Sequence, residues 1–115
     1  MANGTSGACS TAPKAAIDEQ ELALSAGMLK ALSNPIRLHM VELIRARGGD
    51  VCVCEFEQHF RLTQPTISHH LKVLRQSGLI VSRQEGTWVH HTIDERSFRR
   101  LRELMDGFIS TEIAG

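Results

Sequence analysis

The chain has 115 residues, of which 42% are hydrophobic, 23% charged and 4% aromatic; this suits one small domain, is too short for a two-domain enzyme and too apolar for intrinsic disorder. No apolar run approaches the length of a bilayer span, and the first sixteen residues lack the basic start and apolar stretch of a secretory signal, so a cytoplasmic protein with no membrane partner is expected. Thirteen Lys and Arg balance 13 Asp and Glu, which taken globally argues against nucleic acid.

Residues 1–16 are small, polar and without periodicity, and read as a flexible tail ahead of one domain over 17–115. Leu22, Ala26, Leu29 and Leu32 then recur at helical spacing and predict a first helix over 18–32. Asn34 and Pro35 suit the cap and first turn of a second helix with Ile36, Met40, Leu43 and Ile44 on one stripe, stopped by Gly48 and Gly49. Asp50 reads as the cap of a short third helix carrying Val53, Phe56 and Phe60. Thr63 caps a fourth, with Pro65 in its first turn and Ile67, Leu71 and Leu74 inward; Ser77 and Gly78 end it. Extended stretches over 79–83 and 88–93 flank polar 84–87 and predict a β-hairpin. A last helix over 94–111 places Phe98, Leu101, Met105 and Phe108 on one side. The predicted class is mainly α with a small hairpin, in the order ααααββα.

The charge is not evenly spread. No acidic residue lies between Glu57 and Glu85, whereas Arg61, Lys72, Arg75 and Arg83 all do, and such a local basic stretch is the footprint of a nucleic-acid face. A solvated helix face would mix both signs. Two short helices joined at Arg61 and Leu62, with a hairpin after them, match a helix-turn-helix with a wing. The second of these helices then enters the major groove with Gln64, Thr66, Ser68 and His69 toward base edges. Arg61, Lys72 and Arg75 are placed for phosphates, and Arg83 for the backbone or the adjacent minor groove. With four Phe, one Trp and no Tyr, little surface is available for stacking on single strands, so double-stranded DNA is the expected partner.

The segments LKALSNPIRLHMVELI, VCVCEF, TQPTISHHLKVLRQSGLI and EGTWVHHTI resemble the ArsR/SmtB family of metal-sensing repressors over about residues 22–104. The resemblance implies a homodimeric winged-helix repressor, not an enzyme, joined through its first and last helices, that leaves its operator when it binds a metal ion or metalloid.

Cys9, Cys52 and Cys54 are the three cysteines. An odd count with two of them one residue apart is a poor disulfide framework, and predicts free thiols or soft-metal ligands. Two small buried hydrophobes are the alternative reading of the CVC pair. At the start of a helix, thiolate is favoured over thiol. On a regular helix, residues two apart lie about 200° apart around the axis, so joint ligation would require that turn to distort and so disturb the adjoining reading helix. Arsenite sensors of the family carry a third cysteine three residues after the pair, where this chain has Glu57. Two thiolates alone, or three with Cys9, remain open, and three sulfurs satisfy As(III) or Sb(III). Cd(II) or Pb(II) is second, because such sites generally take four sulfurs. No organic cofactor is implied. Zinc and nickel sensors of the family use histidines of the last helix, and 94–111 contains none. Glu55 and His59 are expected to form a surface pair, no His has a His partner four residues on along a helix, and Trp88 is expected to wedge between wing and bundle.

Two other classes compete. A thiol redox enzyme usually carries CxxC on an α/β scaffold, which this chain lacks; a redox-switched repressor fits better, since exposed thiols of low pKa oxidise readily. A constitutive winged-helix factor with inert cysteines is the third reading.

Overall fold

The computed structural model describes residues 18–49 and 51–109. Asp18 opens the first helix, α1 (Glu19–Leu32), by accepting from the backbone N–H groups of Gln20 and Glu21. Asn34 does the same for Ile36 and Arg37 at the head of α2 (Pro35–Ala46), where Pro35 occupies a position whose N–H the helix does not use. Then follow α3 (Val53–Phe60), α4 (Gln64–Gln76), β1 (Ile80–Glu85), β2 (Trp88–Ile93) and α5 (Glu95–Ile109). Among the described residues this is the predicted ααααββα order, five helices and one antiparallel hairpin.

Two boundaries differ from the sequence reading. The third helix starts at Val53 with Cys52 as its N-cap, and Asp50, expected to cap it, lies outside the described residues. The hairpin is tighter: Glu85 pairs with Trp88, leaving Gly86 and Thr87 as the loop. Gly86 has a φ of +62°, at the first loop position, where type II′ turns take glycine. The predicted tail 1–16, and with it Cys9, and the end of the last helix at Thr111 fall outside the described residues.

The core is built from the predicted stripes of α2, α3 and α4. Met40, Ile44, Phe56, Ile67, Leu71 and Leu74 are buried together with Leu79, Ile80 and Leu101, and Ile36, Leu43, Val53, Phe60 and Phe98 pack against them. Gly49 brings the end of α2 hard against the hairpin: a Cβ there would stand 2.7 Å from Thr92 Cγ2 and 3.0 Å from the His91 carbonyl oxygen. Ser97 donates its hydroxyl to the Gly78 carbonyl at 2.6 Å and so ties the start of α5 to the end of α4.

On α1 the predicted stripe divides: Leu32 packs against this core, and the helix buries Ser25, Met28 and Ala31, while Leu22, Leu24 and Leu29 are exposed, as are Met105, Phe108 and Ile109 on α5. Arg100 Nε of α5 lies 3.5 Å from Glu21 Oε1 of α1, an exposed ion pair that links the two helices.

His91 is the largest polar side chain fully inside. Its Nδ1 lies 2.7 Å from Ser82 Oγ, and its Nε2 is buried without a partner. Keeping the proton on Nδ1 leaves Nε2 as a bare acceptor, which costs less than an orphaned donor. Burial, first, and then the charges of Arg75 and His90 push its pKa down; burial, then Arg37 and His69, do the same for buried His70. The unfolded chain titrates near about 6.5, so below that pH the unfolded state binds more protons than the folded one. Stability is therefore fully present above about pH 6.5 and falls as pH drops through the window beneath it, with His91 contributing at most about 1.4 kcal/mol per pH unit. Urea midpoints measured from pH 7.5 to 5 should fall in this way, and His91→Gln should flatten the fall. An unchanged slope in that variant would assign the effect elsewhere.

Candidate DNA-reading face and thiol site

The turn between α3 and α4 is made by Arg61, whose backbone is left-handed at φ +56° and whose N–H closes back on the Glu57 carbonyl at 2.9 Å. This cap ends α3 within one residue and redirects the chain into α4, a helix-turn-helix connection. Thr63 sits at the N-cap of α4, with its hydroxyl oxygen 3.0 Å from that of Thr66.

Burial divides α4 cleanly. Ile67, His70, Leu71 and Leu74 face the core, and Gln64, Thr66, Ser68, His69, Lys72 and Arg75 are exposed. Arg61 and Arg83 are exposed as well. All eight residues assigned to DNA from the sequence are thus open to solvent, on α4, on the turn before it and on β1 of the hairpin behind it. Arg83 is not an unencumbered cation: Glu85 lies 3.4 Å from its Nη2 and also 3.2 Å from His90 Nε2. The sequence reading missed Arg37, which donates from Nε to the Ala31 carbonyl at 2.8 Å and sets Nη1 3.3 Å from His70 Nδ1. It locks the buried side of α4 to the end of α1. No local spacing links positions 37 and 70.

The thiol site departs from expectation. Cys52 and Cys54 are joined in a disulfide, where the sequence reading predicts free thiols. Two such residues point about 200° apart only where both lie on the helix. Cys52 is instead the N-cap, with extended backbone at φ −90° and ψ 160°, and only Cys54 lies within α3. The Cα atoms are 5.3 Å apart, inside the range over which two sulfurs meet, so their convergence requires no unwinding of the first turn. In the reduced state the same geometry offers two thiols to one soft ion. Cys52 also makes no side-chain cap hydrogen bond.

Around the pair, Val51, Cys52 and Glu55 line a cavity of about 200 Å³ with Trp88, Val89 and His90 of β2. Cys52 therefore borders the hairpin as well as heading the first helix of the helix-turn-helix. Trp88 is 63% exposed rather than wedged, because it is the first residue after the hairpin loop. Glu55 and His59 do line one cavity but are not partners: Glu55 pairs with Arg47 and His59 with His39. Glu57, where a third cysteine would stand, is half-buried. Among the described residues no group of three or more metal-ligating side chains comes together, and no helix is long and apolar enough to cross a membrane.

A family model described as "Bacterial regulatory protein, arsR family" matches residues 34–82, from the cap of α2 through the first strand of the hairpin. An HTH-type transcriptional regulator of Methanocaldococcus jannaschii is 37% identical over 82 residues, covering 71% of this chain and 91% of that one. The chain belongs to the arsR family. That family is one of DNA-binding transcriptional regulators and not of enzymes. An arsenic resistance transcriptional regulator of Pseudomonas putida is 41% identical over 66 residues; the match takes in 57% of this arsR-family chain and about half, 51%, of that relative. The solution structure of a homodimeric winged helix-turn-helix DNA-binding domain from Mycobacterium bovis superposes with a TM-score of 0.63 at 25% identity, covering 86% of this chain and 91% of that one.

Proposed function

We propose that this chain is an arsenite-responsive repressor. As a homodimer it holds duplex operator DNA with α4 and the hairpin, and it lets go when As(III), or Sb(III), is bound by Cys52 and Cys54 with Cys9 as third sulfur. The observation that carries this reading is the convergence of the Cys52 and Cys54 sulfurs at the head of α3, the helix that immediately precedes the reading helix. The arsenic resistance role named for the Pseudomonas putida relative supports the choice of ion, and soft thiolates suit it better than any hard cation. Cadmium or lead comes second. The exposed apolar residues of α1 and α5 support dimerisation through those helices, in keeping with the homodimeric Mycobacterium bovis domain. A cytoplasmic location fits the operator-binding role.

Each thiol that takes up arsenite replaces one hydroxide, which leaves as water. The disulfide form has no thiol to offer, so the effector reading applies to the reduced protein. The disulfide itself favours a second reading, a redox-switched repressor, in which two thiols give two protons and two electrons to a peroxide and leave it as two waters.

Counting reactive thiols on reduced protein after separate incubation with arsenite, cadmium, lead and zinc tests the assignment. The expected result is arsenite protecting all three cysteines. Protection of two leaves Cys9 a bystander, and protection by cadmium but not arsenite moves the effector to the runner-up. No protection by any ion removes the effector reading and leaves the redox one.

A further inference from the structure

His39 and His59 lie on different helices, and the fold sets their Nε2 atoms 3.1 Å apart. Their ring planes are close to perpendicular, with centroids 4.6 Å apart, so each ring turns its Nε2 edge toward the other. The pair is braced. Phe60 stands edge-on to His39 at 5.1 Å and to His59 at 4.9 Å, and it stacks in turn on buried Phe56 at 6.4 Å. Both imidazoles are nevertheless exposed, so water reaches the space between them. Glu42, three residues on from His39, keeps its carboxylate ionised chiefly through its hydrogen bond to Arg45, with His39 a lesser contributor.

Two nitrogens at this separation have few uses. In the neutral pair one Nε2–H donates and the other accepts, and two protonated rings would repel. Two Zn–N bonds of about 2.0–2.1 Å that meet near the tetrahedral angle hold their nitrogens about 3.3 Å apart, close to the separation present. We propose that His39 and His59 form a two-histidine site for a borderline divalent cation of the zinc, nickel and copper class, with water completing its coordination. Imidazole nitrogen suits these ions. The donor ring moves its proton from Nε2 to Nδ1, the acceptor ring already carries its own there, and no proton is released. The ion clamps α3 to α2. It lies at the opposite end of α3 from the thiols, about 10 Å along the axis from Cys52, so it is a separate site and does not depend on which ion the cysteines take.

The test uses the full chain with Cys9, Cys52 and Cys54 all changed to Ser, which removes competing zinc thiolates. ZnCl2 is titrated in a non-chelating buffer while imidazole nitrogen resonances and thermal unfolding are followed. The expected result is one Zn2+ per chain, movement of the Nε2 signals of His39 and His59 while those of His69 and His90 stay, and a raised Tm. At a free concentration 100 times Kd the folding constant rises about 100-fold. His39→Asn and His59→Asn should each abolish both responses and keep the zinc-free Tm. Zinc binding that survives both substitutions, movement of other histidines instead, or no response in either readout would overturn the site. The ring signals of the unsubstituted histidines decide the matter even where a variant loses stability.

Discussion

Reduced protein bound to duplex DNA that it has selected from a random pool should lose affinity by about 5- to 150-fold when arsenite is added, the usual span of coupling between two sites. Cys52→Ser or Cys54→Ser should abolish that loss and leave effector-free DNA binding intact. The expectation follows from where the sulfurs are anchored. Cys52 belongs to the extended segment entering α3 and Cys54 to its first turn, and buried Val51 lies immediately before them. A large atom placed between the two sulfurs pushes these anchors apart. On one side the displacement meets α3, which packs on the reading helix, and on the other the cavity wall formed by Trp88, Val89 and His90. Both DNA-facing elements therefore border the effector, and no long relay is required. The oxidised protein is the decisive control. With Cys52 and Cys54 joined, arsenite should have no effect on DNA binding until a reductant is added. Oxidised protein that binds DNA weakly before any arsenite is present would favour the redox-switched reading. Fluorescence anisotropy of a labelled duplex measures each case, and a cysteine-free variant that still responds to arsenite would sink the assignment of the site.

How much of this was legible beforehand depends on whether the information is local. Asn34–Pro35, Thr63–Pro65 and the stripe Ile67, Leu71 and Leu74 each specify a helix start or a buried face within a few residues, and α2 and α4 begin and bury as their sequences imply. The thiol geometry fails for a related reason. A shift of the start of α3 from the neighbourhood of Asp50 to Val53 moves Cys52 from helix to cap, and converts two diverging side chains into two that meet. Helix starts are uncertain by about that much from pattern alone. The stripe of α1 is a different case: Leu22 and Leu29 recur at helical spacing and are exposed, and spacing cannot say whether an apolar face serves the chain's own core or a second copy; the expectation of a second copy comes from the family resemblance. The contacts of Arg37 with His70 and of His39 with His59 join positions 33 and 20 residues apart. Only the assembled fold brings them together, and no motif announces them.

The largest single effect on DNA binding should come from salt. Arg61, Lys72, Arg75 and Arg83 are exposed on one continuous stretch of the chain, without an acidic residue until Glu85. Taken twice for a dimer, they offer about eight phosphate contacts, so log K should fall against log salt with a slope of about −7, or about 10³–10⁵ in affinity between 50 and 200 mM. Arg83 makes the prediction sharper because Glu85 already lies 3.4 Å away. If that exposed pair persists on DNA, Arg83 contributes little and the slope drops to about −5. Lys72→Ala should lower the slope by about 2 per dimer and weaken every sequence alike, since a phosphate contact carries no base identity. Gln64→Ala should leave the slope almost unchanged and relax preference at one base pair of each half-site, a discrimination of about 1–3 kcal/mol for a lost bidentate contact. The two variants therefore separate positioning from reading within one helix. A slope near zero would remove the basic face from the interface altogether, and a Gln64→Ala protein with unaltered preference would move base reading to Thr66, Ser68 or His69.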